Sequence, residues 1–176
     1  MPNAGMGRFL IYSGTLLLKM TENEIRKALE NPLYDSGILR HGFARFGRDY
    51  DVVVAAREDQ FLYRFSHCTS VTITTSVSDQ NWRKSWKDIY TDYSAWEGAG
   101  CPEGHVWGVR ELDAYPGGRY INGSMDAEEW AIRLGKPMHE VRIETNGHNF
   151  NLIFHDLIVR ELSETDEEWV AVRTKT

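Results

Sequence analysis

The densest periodic signal along the chain lies at residues 78–98. Trp82, Trp86, Ile89, Tyr90, Tyr93 and Trp96 recur at spacings of 4, 3, 1, 3 and 3. That rhythm is one face of an α-helix. Ser78 supplies an N-cap, and Gly98, Gly100 and Pro102 supply a stop. The predicted helix spans roughly residues 79–97 and is the longest in the chain. Its opposite face mixes both signs in Arg83, Lys84, Lys87, Asp88 and Asp92, as a solvated face does. Aromatics at helical spacing are ordinarily core, so a sheet is needed to cover this stripe.

Two shorter helices are predicted on either side. Thr21 and Glu24 form a T-x-x-E capping box, with Met20 and Ile25 at the staple positions. Ile25, Ala28 and Leu29 give that helix its apolar face, and Pro32 closes it. Ser124 caps the other helix. Ala127, Trp130, Ala131 and Leu134 follow at i, i+3, i+4 and i+7, and Gly135 and Pro137 stop it.

Elsewhere the period is two or the run is continuous. Residues 9–18 are a strand candidate weakened by Gly14. Residues 35–47, with Gly37, Gly42 and Gly47, read as irregular. Residues 51–57 hold the run VVVAA, which predicts a central strand. Phe61, Tyr63 and Phe65 alternate with Leu62, Arg64 and Ser66, and residues 70–77 form a Thr-rich strand. These three strands are expected to form an antiparallel meander. Further strands are expected at residues 105–115 and 169–172. The apolar run at 157–162 is either a continued strand or a new one.

Asn146-Gly147 predicts a hairpin with a type I′ turn. In that register Ile143 faces Phe150, Val141 faces Leu152, and His139 faces Phe154. Glu140 faces Ile153 and Arg142 faces Asn151 on the other side. Turn chemistry and hydrophobic alternation agree on the register independently. The sum is a single α+β domain over residues 9–174. It is mainly antiparallel β-sheet, about 8–10 strands, packed with two or three helices. Residues 1–8 read as a flexible lead-in.

Composition narrows the function classes. The chain has 176 residues, 41% hydrophobic and 12% aromatic, and a net charge of −6. That balance argues against a nucleic-acid partner, since phosphate binding needs a basic patch. Two cysteines, Cys68 and Cys101, are too few for a disulfide scaffold. The apolar run at 9–18 is too short to span a bilayer, and no small-residue cleavage site follows it. The expectation is a soluble, cytoplasmic protein with free thiols, bound to no membrane.

Four constellations hold candidate chemistry. Residues 139–156 bring together His139, Glu140, Glu144, His148, His155 and Asp156. The hairpin register puts His139 and His148 roughly 20 Å apart, too far to share a metal. His155 with Asp156 is the best functional pair, as a base, and His155 falls diagonally across from Glu140. His67-Cys68 with Cys101-x-x-x-His105 offers zinc or thiol chemistry. But His67 and Cys68, adjacent in a strand, would point to opposite faces, and a buried inert Cys68 is the simpler reading. The PGGRYING loop at 116–123 lacks a P-loop ending, and Asp126, Glu128 and Glu129 would repel an anion there. It reads as an ordered surface loop, in which Arg119 and Tyr120 line a cleft. Finally, Trp96, Trp107, Tyr115 and Tyr120 are the aromatics nearest loops, and with Arg119 they are the candidate binding residues.

No metal and no cofactor is implied. The favoured function is a non-enzymatic binding or interaction protein, neutralising or regulatory, whose acidic surface would suit a basic protein partner. The alternative is an enzyme with a small-molecule pocket built from His155, Asp156, Glu140 and Arg119. A homo-oligomer is compatible with either.

Overall fold

The computed structural model describes residues 19–76, 79, 93–100 and 112–171. Most of the predicted tryptophan helix, including Trp82 and Trp86, lies outside these residues. So do the strand predicted at 9–18 and residues 105–111 of the strand predicted at 105–115. The C-terminal end of the predicted span is described and is helical, Tyr93–Gly98.

Among the described residues the chain runs α1 (Glu22–Glu30), β1 (Ser36–Ala44), β2 (Asp49–Ala56), β3 (Asp59–Ser66), β4 (Ser70–Thr75) and α2 (Tyr93–Gly98). It continues through β5 (Leu112–Ala114), β6 (Gly117–Tyr120), α3 (Met125–Leu134), β7 (His139–Glu144), β8 (His148–Phe154) and β9 (Asp156–Leu162). The strands form two antiparallel sheets, ordered β5-β1-β2-β3-β9 and β4-β8-β7-β6. The architecture is α+β, as predicted, with two sheets rather than one. No helix among the described residues is long and apolar enough to cross a membrane.

The core lies between the sheets. Tyr50, Val52, Val54, Tyr63, Phe65 and Leu157 from the first meet Val141, Ile143, Phe150, Leu152 and Phe154 from the second. Phe65 and Phe154 touch edge to face at 4.9 Å. β2 is central, as its continuous apolar run requires, and its other face sends Val53 to Leu62, Leu162, Trp169 and Val170. α1 closes one side with Ile25 and Leu29, its Thr21–Glu24 capping box formed as predicted. α3 lies on the outer face of the second sheet, where Ala127, Trp130 and Ala131 cover Ile153 and Met138. Leu134 of its predicted stripe is exposed.

The hairpin register is the predicted one at every pair named above. Its turn is not. Neither Asn146 nor Gly147 has positive φ. The Thr145 hydroxyl accepts the N–H groups of Gly147 and His148 at 3.2 and 2.9 Å instead. Asn146 is drawn toward the other sheet, its Oδ1 accepting the Asp113 N–H at 3.1 Å. That tie competes with the I′ conformation and wins.

Four other expectations are corrected. Residues 36–44 are strand, not irregular, because a register shift between Ile38 and Arg40 absorbs the misfit. The meander is β1-β2-β3, and β4 crosses to the second sheet. Half of the expected surface loop at 116–123 is β6, paired to β7. Residues 169–171 are not strand. The Gln60 side chain takes the place of a strand partner, donating to the Val170 carbonyl at 2.7 Å and accepting its N–H at 3.0 Å. The run at 157–162 is a new strand, in the other sheet from β8.

Candidate functional site

Four connections meet at one end of the sandwich. The Cys68 N–H donates to the Arg48 carbonyl at 2.8 Å, tying the β3–β4 loop to the β1–β2 turn. The Thr69 N–H donates to the Ile153 carbonyl, and the His155 N–H to that of Ser66, at 2.8 and 3.0 Å. His155 Nδ1 donates to the Pro137 carbonyl at 2.7 Å, bringing in the link between α3 and β7. His67 and His155 therefore sit with ring centroids 5.8 Å apart. His67 is not in a strand as expected. It is an exposed loop residue at φ 50.

One carboxylate serves this end from inside. Asp49 is buried, and its Oδ1 accepts the His67 N–H at 3.0 Å and Arg48 Nε at 3.2 Å. Arg45 Nε stands 3.6 Å from its Oδ2. Burial pushes the Asp49 carboxyl up, but these donors outweigh it and hold the group below its ordinary value. The His67 imidazole, although exposed, is pushed down by partial desolvation and then by Lys136 and Arg48, against the pull of Asp49. In a chain of net charge −6, this end collects Arg45, Arg48, Lys136, His67 and His155 around a single buried acid.

An aromatic tip projects from the same turn. Arg45 and Phe46 both have positive φ, 48 and 62°, and the Gly47 N–H donates to the Ala44 carbonyl at 3.0 Å. Positive φ at both central residues is the feature of a type I′ turn, which ordinarily uses Asn-Gly. For a residue with a side chain, each such position costs about 1–2 kcal/mol. Phe46 is nevertheless placed there, fully exposed, with Phe43 62% exposed beside it. Phe43 keeps one edge contact, to Tyr50, at 5.2 Å.

The residues singled out from sequence are dispersed. His155 is in this end. Asp156 is adjacent to it, with Oδ1 accepting the N–H groups of Met20 and Leu157 at 3.1 and 2.9 Å. Glu140 does not pair with His155. It turns to the outer face of its sheet and accepts from the Ser124 hydroxyl at the cap of α3. Arg119, also on the outer face, pairs with Glu144 at 3.3 Å. Tyr120 is half-buried, its hydroxyl 2.9 Å from His139 Nδ1 and its ring under Arg26 at 4.3 Å. Tyr115 is 58% exposed and leans on Tyr34 at 5.9 Å. Trp96 is partly exposed on α2, and Trp107 lies outside the described residues. Cys68 is buried, with Sγ 3.4 Å from the Ser70 carbonyl and its thiol pushed up to about 12 by burial. It packs as a small hydrophobe. Among the described residues no group of three His, Cys, Asp or Glu is placed to hold a metal ion.

Arg45, Phe46, Arg48 and Lys136 were not singled out by sequence. The available signal was local, an aromatic between two arginines in Ala44-Arg45-Phe46-Gly47-Arg48. The convergence with Lys136 and His155 needed the fold.

No curated protein matches the chain. The family model of YxiG-like proteins matches residues 21–172, which take in every strand described above, and the chain belongs to that family.

Proposed function

We propose that the protein is a non-enzymatic binding protein. It engages a protein partner, in a neutralising or regulatory role, through the end of the sandwich that carries Phe46. The observation behind this reading is Phe46 itself. A large apolar side chain is held in solvent by a backbone conformation that costs free energy. Neither packing nor turn propensity accounts for that placement, whereas interface anchors are commonly aromatic side chains that fill a partner's pocket. A small-molecule enzyme built from His155, Asp156, Glu140 and Arg119 draws less support. These side chains are engaged with the Pro137 carbonyl, backbone N–H groups, Ser124 and Glu144 in turn.

Affinity capture with native protein and with Phe46→Ser as baits tests the reading. The expected result is a protein retained by the native bait and lost from the variant, which re-forms a complex when both components are purified. Identical retention on the two baits would overturn it, as would failure of every retained protein to bind once purified.

A further inference from the structure

We infer that the partner presents an acidic segment, with carboxylates received by Arg48, Lys136 and the His67–His155 pair beside a pocket that takes Phe46. This rests on the protein-binding reading above and adds the chemistry of the partner.

Positive charge at this end is only partly met by carboxylates of the chain itself. Elsewhere several arginines are neutralised by carboxylates of the same chain, although Arg40, Arg57 and Arg133 have no ion pair among the described residues. Arg26 meets Glu22 at 2.6 Å, Arg119 and Arg142 share Glu144, and Arg160 meets Asp166 and Glu168 at 2.7 and 2.6 Å. At this end two arginines share Asp49, which is wholly buried and already accepts a backbone N–H. Both arginine side chains keep about half of their surface in water, 51% each. Lys136 has no ion pair among the described residues, and it lies close enough to His67 to shift it. An acidic chain that sets Arg45, Arg48 and Lys136 together around an exposed aromatic is complementary there to negative charge.

Carboxylates of a protein fit this tip better than phosphates. A nucleic acid needs a track of cations and several stacking planes, and here a few cations surround one projecting ring. Stable membrane anchoring needs more apolar insertion than Phe46 and Phe43 provide, and the net charge of −6 opposes an anionic bilayer. A single aromatic ringed by cations suits a pocket with an acidic rim.

The test uses fluorescein-labelled peptides rich in Asp and Glu that carry one Leu, Ile or Phe, read by anisotropy against the full chain. Lys-for-Glu counterparts, phosphatidylserine–phosphatidylcholine vesicles and an oligo-dT strand are the other arms. The acidic peptides are expected to bind, more weakly as salt rises. Affinity is expected to fall about tenfold or more in Arg48→Gln/Lys136→Glu and in Phe46→Ser. Lys136→Glu alone, which removes no internal ion pair, is expected to show the same direction with unchanged thermal unfolding. Equal binding of the Lys counterparts, binding only to vesicles or oligo-dT, self-association in place of peptide binding, or no binding by any acidic peptide would overturn the inference. A captured partner that depends on Phe46 but tolerates Arg48→Gln/Lys136→Glu removes the acidic segment and leaves the binding function standing. Absence of any Phe46-dependent partner removes both.

Discussion

Arg64 lays its guanidinium on the Asp51 carboxylate in two parallel bonds, Nε to Oδ1 at 2.8 Å and Nη2 to Oδ2 at 2.7 Å. Both side chains are about nine-tenths buried. The same Nη2 reaches Glu168 at 2.8 Å, so the segment after β9 is pinned across the outer face of the first sheet. Removing one member leaves the other charge buried without a counterion. Arg64→Met is expected to cost about 3–5 kcal/mol. Arg160→Ala, on the exposed rim of the network, is expected to cost about 1 kcal/mol or less. Urea midpoints of the two variants check the contrast, and equal losses would contradict it.

Gly118 sits where α1 meets β6. A Cβ at this position would stand 2.7 Å from Leu33 Cδ2, 2.8 Å from Leu29 Cδ2 and 3.1 Å from Leu29 Cβ. Both leucines are fully buried and have no room to move aside. Gly118→Ala is therefore expected to destabilise the fold by about 1–3 kcal/mol through overpacking. Thermal unfolding measures it. A stabilising effect, the usual result of Gly→Ala at a compatible strand position, would show that the α1 contact is looser than described.

The Arg45-Phe46 turn predicts a trade between stability and binding. Arg45→Asn with Phe46→Gly gives this turn the residues it ordinarily uses. The double variant is expected to gain about 1–2 kcal/mol, the relief at two positive-φ positions less the loss of the Arg45 contact with buried Asp49. It is also expected to lose the partner. A loss of stability in urea that Phe46→Gly alone reproduces would mean that Phe46 packs where its exposure says it does not.

Acid should weaken the fold in two steps. Burial, then Lys19 and His155, push the His139 imidazole below its ordinary 6.5, against Glu22 and Asp156. His41, exposed at one edge but set against Tyr50 and Phe150, is pushed down likewise by partial desolvation and then by His148. A depressed native pKa means that the unfolded chain takes the proton more readily. The contribution is whole above pH 6.5 and is lost as pH falls through the lowered native values. Glu168 is raised by burial but brought below its ordinary 4.5 by Arg64 and Arg160. Asp49 is held below 3.8. Their contributions persist above pH 4.5 and go in a second, lower window. Urea midpoints are expected to fall between pH 7.5 and 5.5, and less steeply in His139→Phe, where His41 alone of these two remains. A midpoint that is flat or rises on acidification would contradict this.

The hairpin of β7 and β8 was legible in the sequence because two independent signals met there, alternation and a turn pair. The turn's own conformation was not, since it depends on Asp113, distant in sequence. β1 was hidden by its glycines and by its exposed Arg40 and His41, which look like loop when the bulge that accommodates them is unknown. The pairing of Asp51 with Arg64 was not legible, because nothing local tells that the segment at 163–171 covers them. The basic end was illegible for the same reason. Arg45, His67, Lys136 and His155 come from four separate connections, and only the passage of the chain between sheets sets them side by side. His155 was found, as the partner of Asp156 beside it, together with a diagonal contact to Glu140 that the fold does not make.

That passage has a kinetic consequence. Among the described strands the chain changes sheet after β3, β4, β5 and β8. The first sheet takes strands from both ends of the sequence, and its β3–β9 ladder joins Gln60 to Leu162. No contiguous fragment contains either sheet without strands of the other. Each sheet can close only after long loops have closed, an entropic cost met before the contacts that offset it. Folding on a scale of about milliseconds to seconds is the expectation for such non-local pairing. A nascent chain released before residue 156 would leave β3 as an open edge, with Leu62, Tyr63 and Phe65 beside it for another chain to pair with.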